Sequence, residues 1–263
     1  MKPSIVRTKL AADEPVLVAK SNFHSPEIIE MLGVLGYDCV WICNEHLPYD
    51  DSEIDHLIRA ARASGIDTLL RRNISGYERA LIPLESGVNG LMIPRVRSVE
   101  YVKRVVEYAK FPPLGRRGLD GVNADADFGF MDLGEYLDRA NERTFLVIQI
   151  EDPEAVEIVD EIAAIDGVDV LFVGPGDLSL AYGAPGELRH PKVQATIDRV
   201  AEACKKHGKV AGTPAIDAED TQRLMDRGYK LVTTSADYRF VRNGLINTKE
   251  TFVDLGFTFR PGE

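Results

Sequence analysis

Short apolar runs alternate with helical segments along the whole chain, and this alternation constrains the fold more than any other feature. Parallel strands that are covered by helices on both faces have this pattern, because neither face of such a strand meets water. Eight strand-to-helix repeats within 263 residues predict a (β/α)8 TIM barrel. The predicted strands are 16–19, 38–43, 68–71, 90–94, 145–150, 168–173, 209–212 and 231–235.

A doubly wound open sheet is the alternative arrangement of the same elements. The barrel is favoured because the repeats reach eight and no Gly-x-Gly-x-x-Gly turn follows the first strand. We expect one barrel domain over residues 1–263 with a C-terminal helical extension. Helices are predicted to begin at 26 and over 51–64, 77–85, 98–109, 133–141, 153–165, 191–207, 218–227 and 241–247, with loops over 111–131 and 178–191.

The charge and the apolar runs exclude several classes of protein. The chain has 42 acidic and 31 basic residues, a net charge of −11, which is unsuited to a nucleic-acid surface. No apolar run approaches the roughly 18 residues that cross a bilayer. The N-terminus has no apolar signal region, so we expect a cytoplasmic protein without nucleic-acid or membrane partners. Three scattered cysteines do not form a disulfide framework or a zinc site.

Two of the apolar runs lead into a carboxylate, Glu151 after 145–150 and Asp177 after 168–173. An unpaired charge in a core costs several kcal/mol, so these side chains must meet water, a partner or a metal. In a parallel barrel the carboxyl ends of all strands converge on one face. Two carboxylates there predict a binding site for a hard divalent cation.

Other chemically useful residues also follow predicted strands. His46 could act as a general base, because its pKa lies near neutrality, although a loop histidine can equally cap a carbonyl. Arg71 and Arg72 follow the third strand, and only one of them can face the barrel mouth. That arginine could stabilise an oxyanion or form a salt bridge to a helix. The segment 174–176, Gly-Pro-Gly, could bring backbone N–H groups close to an anion, or be a turn.

Taken together, these motifs resemble the metal-dependent HpcH/HpaI aldolase family over nearly the whole chain. The resemblance rests on Glu14-Pro-Val-Leu, Ser25-Pro-Glu, Glu45-His46, Leu70-Arg71, Ile93-Pro94, Pro112-Pro-Leu-Gly-Arg-Arg-Gly118, Gln149-Ile-Glu151 and Gly174-Pro-Gly-Asp-Leu-Ser179. It implies a (β/α)8 barrel of the pyruvate type that cleaves a 4-hydroxy-2-oxo acid to pyruvate and an aldehyde, or forms it from them, through a metal-held enolate.

The resemblance also implies roles for individual residues. Glu151 and Asp177 match the ligands of a divalent metal, Mg²⁺, Mn²⁺ or Co²⁺. His46 matches the base, and Arg71 matches the arginine that holds the keto oxygen of the substrate. Gln149 matches a polar residue of the pyruvate site. The backbone N–H groups of Gly176 and Asp177 match those that bind the pyruvate carboxylate.

Three departures from the family pattern are expected to lie near the mouth. Cys43 stands where an acid usually precedes the histidine, and Lys20 stands where tryptophan is common. An alanine–arginine pair is replaced by Ala124-Asp125. With these changes, three further functions stay open: oxaloacetate decarboxylation, acyl-thioester lyase activity, and non-catalytic binding of an oxo acid.

The C-terminal segment predicts self-association. Phe252, Leu255, Phe257 and Phe259 place apolar side chains in a short terminal stretch, and exposed groups of this kind favour a partner surface. The loop over 111–131 is long and rich in glycine, which is typical of a functional segment. The resemblance implies a homohexamer built from pairs that exchange their C-terminal helices.

Overall fold

Eight parallel strands close on one another in chain order to form a barrel in the computed structural model, which describes residues 2–260. The predicted (β/α)8 barrel is therefore confirmed, and the open sheet is excluded. The strands are β1 (Val16–Ser21), β2 (Cys39–Cys43), β3 (Asp67–Arg71), β4 (Gly90–Ile93), β5 (Phe145–Ile150), β6 (Val170–Val173), β7 (Val210–Pro214) and β8 (Tyr229–Ala236).

Helices connect the strands and surround the barrel. They are α1 (Ile5–Ala11), α2 (Pro26–Val34), α3 (Asp51–Ser64), α4 (Tyr77–Ser86), α5 (Val99–Ala109), α6 (Leu133–Arg143), α7 (Pro153–Glu157), α8 (Val159–Ala163), α9 (Pro175–Ala181), α10 (Pro191–His207), α11 (Ala218–Met225) and α12 (Asp237–Asp254). Local sequence explains where they begin. Ser25 caps α2 with Pro26 in its first turn, and Asp50 forms a capping box with Glu53 at α3.

Some predicted boundaries are wrong. The predicted loop over 178–191 begins with helix α9, because Pro175 is compatible with a first helical turn. The predicted helix over 153–165 is divided at Ile158, whose φ and ψ of −103° and 16° are not helical. Helix α1 is absent from the prediction, α12 begins four residues before 241, and β7 extends to Pro214.

Side chains that alternate along each strand form two separate cores. One set fills the barrel, and includes Val16, Val18, Trp41, Val147 and Phe172. The other set, which includes Val40, Leu70 and Ile148, packs outward against the helices. Tight packing inside the barrel requires Gly90, because a Cβ there would lie 2.2 Å from the Phe145 ring.

Helix α1 covers the N-terminal end of the barrel. Val6 is fully buried in the interior core, and its N–H group donates to the Asp67 carboxylate at the start of β3. The Ser4 hydroxyl donates to the same carboxylate over 2.6 Å. Because this end is covered, the C-terminal end of the barrel is the one left to form a mouth.

The 111–131 loop lies at the covered end, away from the mouth of its own barrel. Arg62, in the last turn of α3, donates to the Ala124 carbonyl, and the Asp125 N–H donates to the Glu85 carbonyl near the end of α4. The Asp125 carboxylate is buried and accepts bonds from Arg117, Tyr136 and Arg143. The expectation that the Ala124-Asp125 replacement lies near this mouth is therefore wrong.

The C-terminal segment leaves a large apolar surface exposed in the single chain. Between 41% and 70% of the area of Phe252, Leu255, Phe257 and Phe259 is accessible. The other exposed apolar side chains of α12 are Tyr238, Phe240, Val241, Leu245, Ile246 and Val253.

Within residues 2–260, none of the helices is long and apolar enough to cross a membrane. The cytoplasmic location stays a prediction.

Candidate active site

On several strands, the side chains that point into the barrel change from apolar to polar at its C-terminal end. Lys20 follows Val16 and Val18 on β1, and Cys43 follows Trp41 on β2. On the same alternation, Arg71 ends β3, and Gln149 and Glu151 end the row of β5. Adjacent strands place these groups side by side, with Lys20 in register with Trp41 and Cys43 with Arg71. The mouth is therefore a polar site above an apolar barrel core.

Arg71, not Arg72, faces the mouth. The Arg71 Nη2 donates to the Cys43 sulfur over 3.1 Å, and its guanidinium carbon lies 4.6 Å from the centre of the Trp41 ring. Its Nε lies 3.1 Å from the Glu45 carboxylate in an ion pair whose angle is not that of a hydrogen bond. Arg72 points outward and donates to Asp51 at the start of α3 over 2.8 Å.

Glu151 is buried at the mouth, with 1% of its area accessible. Its Oε1 accepts the Arg95 N–H over 2.8 Å. Burial raises its pKa to about 7, and the nearby Asp177 and Glu45 carboxylates add to the rise. A cluster of acids in this environment attracts a cation.

Asp177 approaches the same region from the first turn of α9, four residues after β6 ends. The expectation that it ends a strand is therefore corrected, although it still lies on the mouth side. Its side chain is 45% exposed and lies 3.5 Å from Arg95 Nη1. The N–H groups of Gly176 and Asp177 have no acceptor within α9, because they belong to its first turn.

Arg95 contacts the acidic side chains of the mouth. The sequence analysis does not predict it as a site residue. Its N–H binds Glu151, while its guanidinium contacts Asp177 and Asp152. Its φ of 54° is unusual for a residue other than glycine and is typical of functional sites. Its position after Pro94, at the end of β4, is the signal that could have identified it.

His46 lies on the loop after β2, at the edge of the mouth. Its side chain is 63% exposed, and its Nε2 is 3.6 Å from Glu45 Oε2, which is too long for a hydrogen bond. Glu45 therefore places a carboxylate between the imidazole and Arg71. The Glu45 carboxylate therefore links His46, the candidate base, to Arg71, the candidate oxyanion group.

Cys43 occupies a different environment from the one expected for an acid that orients His46. Its sulfur accepts from Arg71 and from the N–H groups of Glu45 and His46. Burial raises the pKa of the thiol, but the Arg71 charge and these donors outweigh burial and leave it lowered. The nearest carboxylate to the imidazole comes from Glu45 instead.

Comparison with known proteins agrees with this arrangement. Residues 21–244 match the model of a family described as HpcH/HpaI aldolase/citrate lyase. The chain belongs to this family. The 5-keto-4-deoxy-D-glucarate aldolase of Enterobacter sp. (strain 638) is 32% identical over 252 residues, which cover 95% of this chain and 97% of that one.

Solved structures of related proteins have the same fold. The HpcH/HpaI aldolase from Desulfitobacterium hafniense DCB-2 is 32% identical, with a TM-score of 0.90 over 97% of this chain and 99% of that one. The citrate synthase SbnG is 27% identical, with a TM-score of 0.87 over 95% and 98%. The predicted family and the predicted class of enzyme, a carbon–carbon lyase, are thereby confirmed.

The residues of this HpcH/HpaI family member fit a divalent cation at Glu151 and Asp177. A Cβ at Gly174 would lie 2.8 Å from Glu151 Oε2 and 3.2 Å from Gln149 Nε2, so only glycine leaves this space open. Gln149 Oε1 is buried without a hydrogen-bond partner in the described structure. Within residues 2–260, no three His, Cys, Asp or Glu side chains form a complete metal site. Hard cations commonly take their remaining ligands from water and substrate.

Glu151→Gln is expected to stabilise the metal-free aldolase at pH 8. The pKa of Glu151 is about 7 in the folded chain and near 4.5 in the unfolded chain, so its ionisation destabilises the fold as pH rises through this window. Above pH 7 the difference amounts to about 3 kcal/mol, and it fades below pH 4.5. Thermal unfolding with a chelator should show a gain for the variant that is larger at pH 8 than at pH 5. An equal gain at both pH values would show that the pKa of Glu151 is not raised in the folded chain.

Cys43→Asp is expected not to raise aldol cleavage. A carboxylate at this position would accept from Arg71 and from the Glu45 and His46 N–H groups, and would neutralise charge that Arg71 offers to an oxyanion. Cys43→Asn has a similar shape without the charge and is the control. The measurement is kcat for cleavage at saturating metal. A rise of about tenfold in Cys43→Asp alone would show that the new acid activates His46.

Proposed function

We propose that this chain is a divalent-metal-dependent class II aldolase that cleaves a 4-hydroxy-2-oxo acid to pyruvate and an aldehyde, or forms it from them. The observation that carries the proposal is the pairing of Glu151 and Gln149 beside the space left by Gly174. This space is bordered by the buried Glu151 carboxylate and by the Gln149 amide, whose Oε1 has no hydrogen-bond partner in the described structure. Mg²⁺, Mn²⁺ or Co²⁺ would be held by Glu151 and Asp177.

When it is bound, the cation would supply Lewis-acid polarisation of the 2-oxo group. The N–H groups of Gly176 and Asp177 would bind the substrate carboxylate, and Gln149 would contact the bound oxo acid. Arg71, held by Cys43 and Trp41, places a fixed positive charge where the enolate oxygen develops. This preorganised charge lowers the barrier because it needs no rearrangement during the reaction.

His46 would remove the proton from the 4-hydroxyl group as the C3–C4 bond breaks. The electron pair of that bond passes to C3 and forms the enolate, and the aldehyde leaves from C4. Protonation of C3 then gives pyruvate. The exposed imidazole is accessible to the half of the substrate that leaves.

Oxaloacetate decarboxylation is the second candidate. It needs enolate stabilisation but no removal of a hydroxyl proton, and the His46 imidazole lies 3.6 Å from Glu45, too far for the hydrogen bond that would orient a base. The citrate synthase SbnG, to which this chain is similar, is named for a carbon–carbon reaction different from aldol cleavage. Acyl-thioester lyase activity and non-catalytic oxo-acid binding are two further candidates.

One assay separates aldol chemistry, oxaloacetate decarboxylation and non-catalytic oxo-acid binding. The purified protein, with each of the three metals, is given pyruvate plus an aldehyde, and separately oxaloacetate, with chelated protein as the control. We expect metal-dependent aldol formation from pyruvate, detected as a new oxo acid. Turnover of oxaloacetate alone would favour the decarboxylase, and binding of pyruvate without turnover would favour a binding protein.

We further propose that the chain is a homo-oligomer, a hexamer by resemblance, without nucleic-acid or membrane partners. The exposed apolar side chains of α12 and of residues 255–259 support self-association, because a surface of this size is unfavourable in water. Light scattering should give a mass that is a multiple of 29.1 kDa. A mass of one chain would contradict the proposal, and Leu245→Asp together with Phe257→Asp should shift the mass downward.

A further inference from the structure

Lys20 is the one lysine that continues an interior row of the barrel into the mouth among the described strands. It stands on β1 in register with Trp41 on β2. Its Nζ lies 5.0 Å from the centre of the Trp41 ring, and Arg71 contacts the same ring from β3. Two cationic groups therefore share one indole at the edge of the candidate site.

No protein acceptor binds the Lys20 ammonium group in the described part of the chain, where it contacts the Trp41 ring. Other lysines differ, because the buried Lys110 donates to two carbonyls and the half-buried Lys209 does the same. Lys20 is half-buried, and burial lowers its pKa, with Arg71 adding to the effect and Cys43, Tyr238 and Glu45 opposing it. An amine held here without an acceptor is suited to an anionic ligand.

The order of strands determines which part of the substrate Lys20 would meet. In a closed barrel of eight strands, β1 lies opposite β5. Glu151 follows β5, so the oxo-acid end of the substrate would lie across the mouth from Lys20. Arg71 ends β3, half-way between them. The opposite end of the substrate, which becomes the aldehyde, would then point toward Lys20.

We propose that Lys20 determines specificity by binding a carboxylate on the aldehyde half of the substrate. Lys20 would then determine how strongly this chain prefers an aldehyde that carries an acid group over a neutral aldehyde of the same length. The proposal rests on the proposed function for the position of the oxo acid. The Trp41 ring attracts the Lys20 ammonium group, so that this group is held at the mouth.

Matched aldehydes test the specificity. The metal-loaded enzyme is assayed in the aldol direction with pyruvate and either 4-oxobutanoate or butanal, which differ in the terminal acid. The wild type should prefer 4-oxobutanoate in kcat/KM. Lys20→Met should reduce this preference about 10- to 100-fold, the usual effect of losing a charged hydrogen bond. Lys20→Arg should keep most of it, and the KM for pyruvate should change little in both variants.

A binding measurement keeps the test independent of turnover. Calorimetric titration compares 2-oxoadipate with 2-oxohexanoate, which share the oxo-acid end and differ in the second carboxylate. Tighter binding of the diacid by the wild type, lost in Lys20→Met, supports the proposal even if no aldol product forms. Equal binding of the two acids, or a preference that Lys20→Met retains, overturns it. Failure of the proposed function would instead remove aldol formation with both aldehydes while this difference in binding remained.

Discussion

Glu151→Gln combined with Asp177→Asn is expected to abolish Mn²⁺ binding and to lower kcat for aldol cleavage by about 10³-fold or more. Both changes keep the shape of the side chain and remove the negative charge that attracts the cation. Loss of Lewis-acid polarisation removes several kcal/mol of transition-state stabilisation, which corresponds to this factor. Calorimetric titration with Mn²⁺ and a pyruvate-release assay measure the two effects separately.

The chain offers a matched control for these changes. Glu157→Gln with Asp160→Asn makes the same two replacements on α7 and α8, where both side chains are at least half-exposed. Their ion pairs with Arg199 and Lys206 lie on the helical surface, so metal affinity and kcat should stay close to the wild type. Undiminished Mn²⁺ affinity in the Glu151 and Asp177 double variant would show that the cation is bound elsewhere.

The metal affinity of the wild type should also depend on pH. A cation held by Glu151 would bind its ionised form, and the pKa of this acid is about 7 in the metal-free chain. Below this value a proton must leave before the cation binds, so affinity should increase up to about pH 7 and then level off. The same environment that destabilises the ionised acid in the empty fold therefore favours binding of a positive ion.

The barrel could be predicted from the sequence because its strands are buried on both faces and bounded by clear turn residues. Periodicity and helix caps locate such elements well, as at Ser25 for α2 and Pro191 for α10. Helix α1 was less visible, since its contribution to the core comes from Val6 alone. Its position depends on Asp67, which lies 61 residues away in the chain.

The candidate site was predictable as a set of strand ends, but not as a set of contacts. Alternation along a strand places Arg71 inside the barrel once the register is known, and the register with Cys43 depends on long-range pairing. The sequence places Cys43 where an acid usually precedes the histidine, whereas in the structure its sulfur accepts a hydrogen bond from Arg71. Arg95 was missed because its role comes from a backbone N–H group and a left-handed φ, which its residue type does not indicate.

The contribution of Arg71 can be separated from that of an adjacent arginine. Arg71→Met is expected to lower kcat for cleavage by about 10²–10³-fold, because it removes fixed charge from the position where the enolate oxygen develops. The affinity for Mn²⁺ should remain, since Arg71 is not one of the residues that would hold the metal. Arg72→Met makes the same replacement one residue later, where the side chain points to Asp51 on α3. It should lower thermal stability but leave kcat within about twofold.

Arg71→Lys distinguishes charge from geometry. Lysine keeps the positive charge but has one terminal nitrogen, so it cannot contact the Glu45 carboxylate and the Cys43 sulfur in the way that Nε and Nη2 do. We therefore expect a kcat between those of the wild type and Arg71→Met. If Arg71→Lys were as active as the wild type, charge alone would be sufficient and the contacts with Cys43 and Glu45 would be structural. If Arg71→Met and Arg72→Met lowered kcat equally, Arg71 would act through stability, and the oxyanion would have to be stabilised by the cation and the N–H groups of α9.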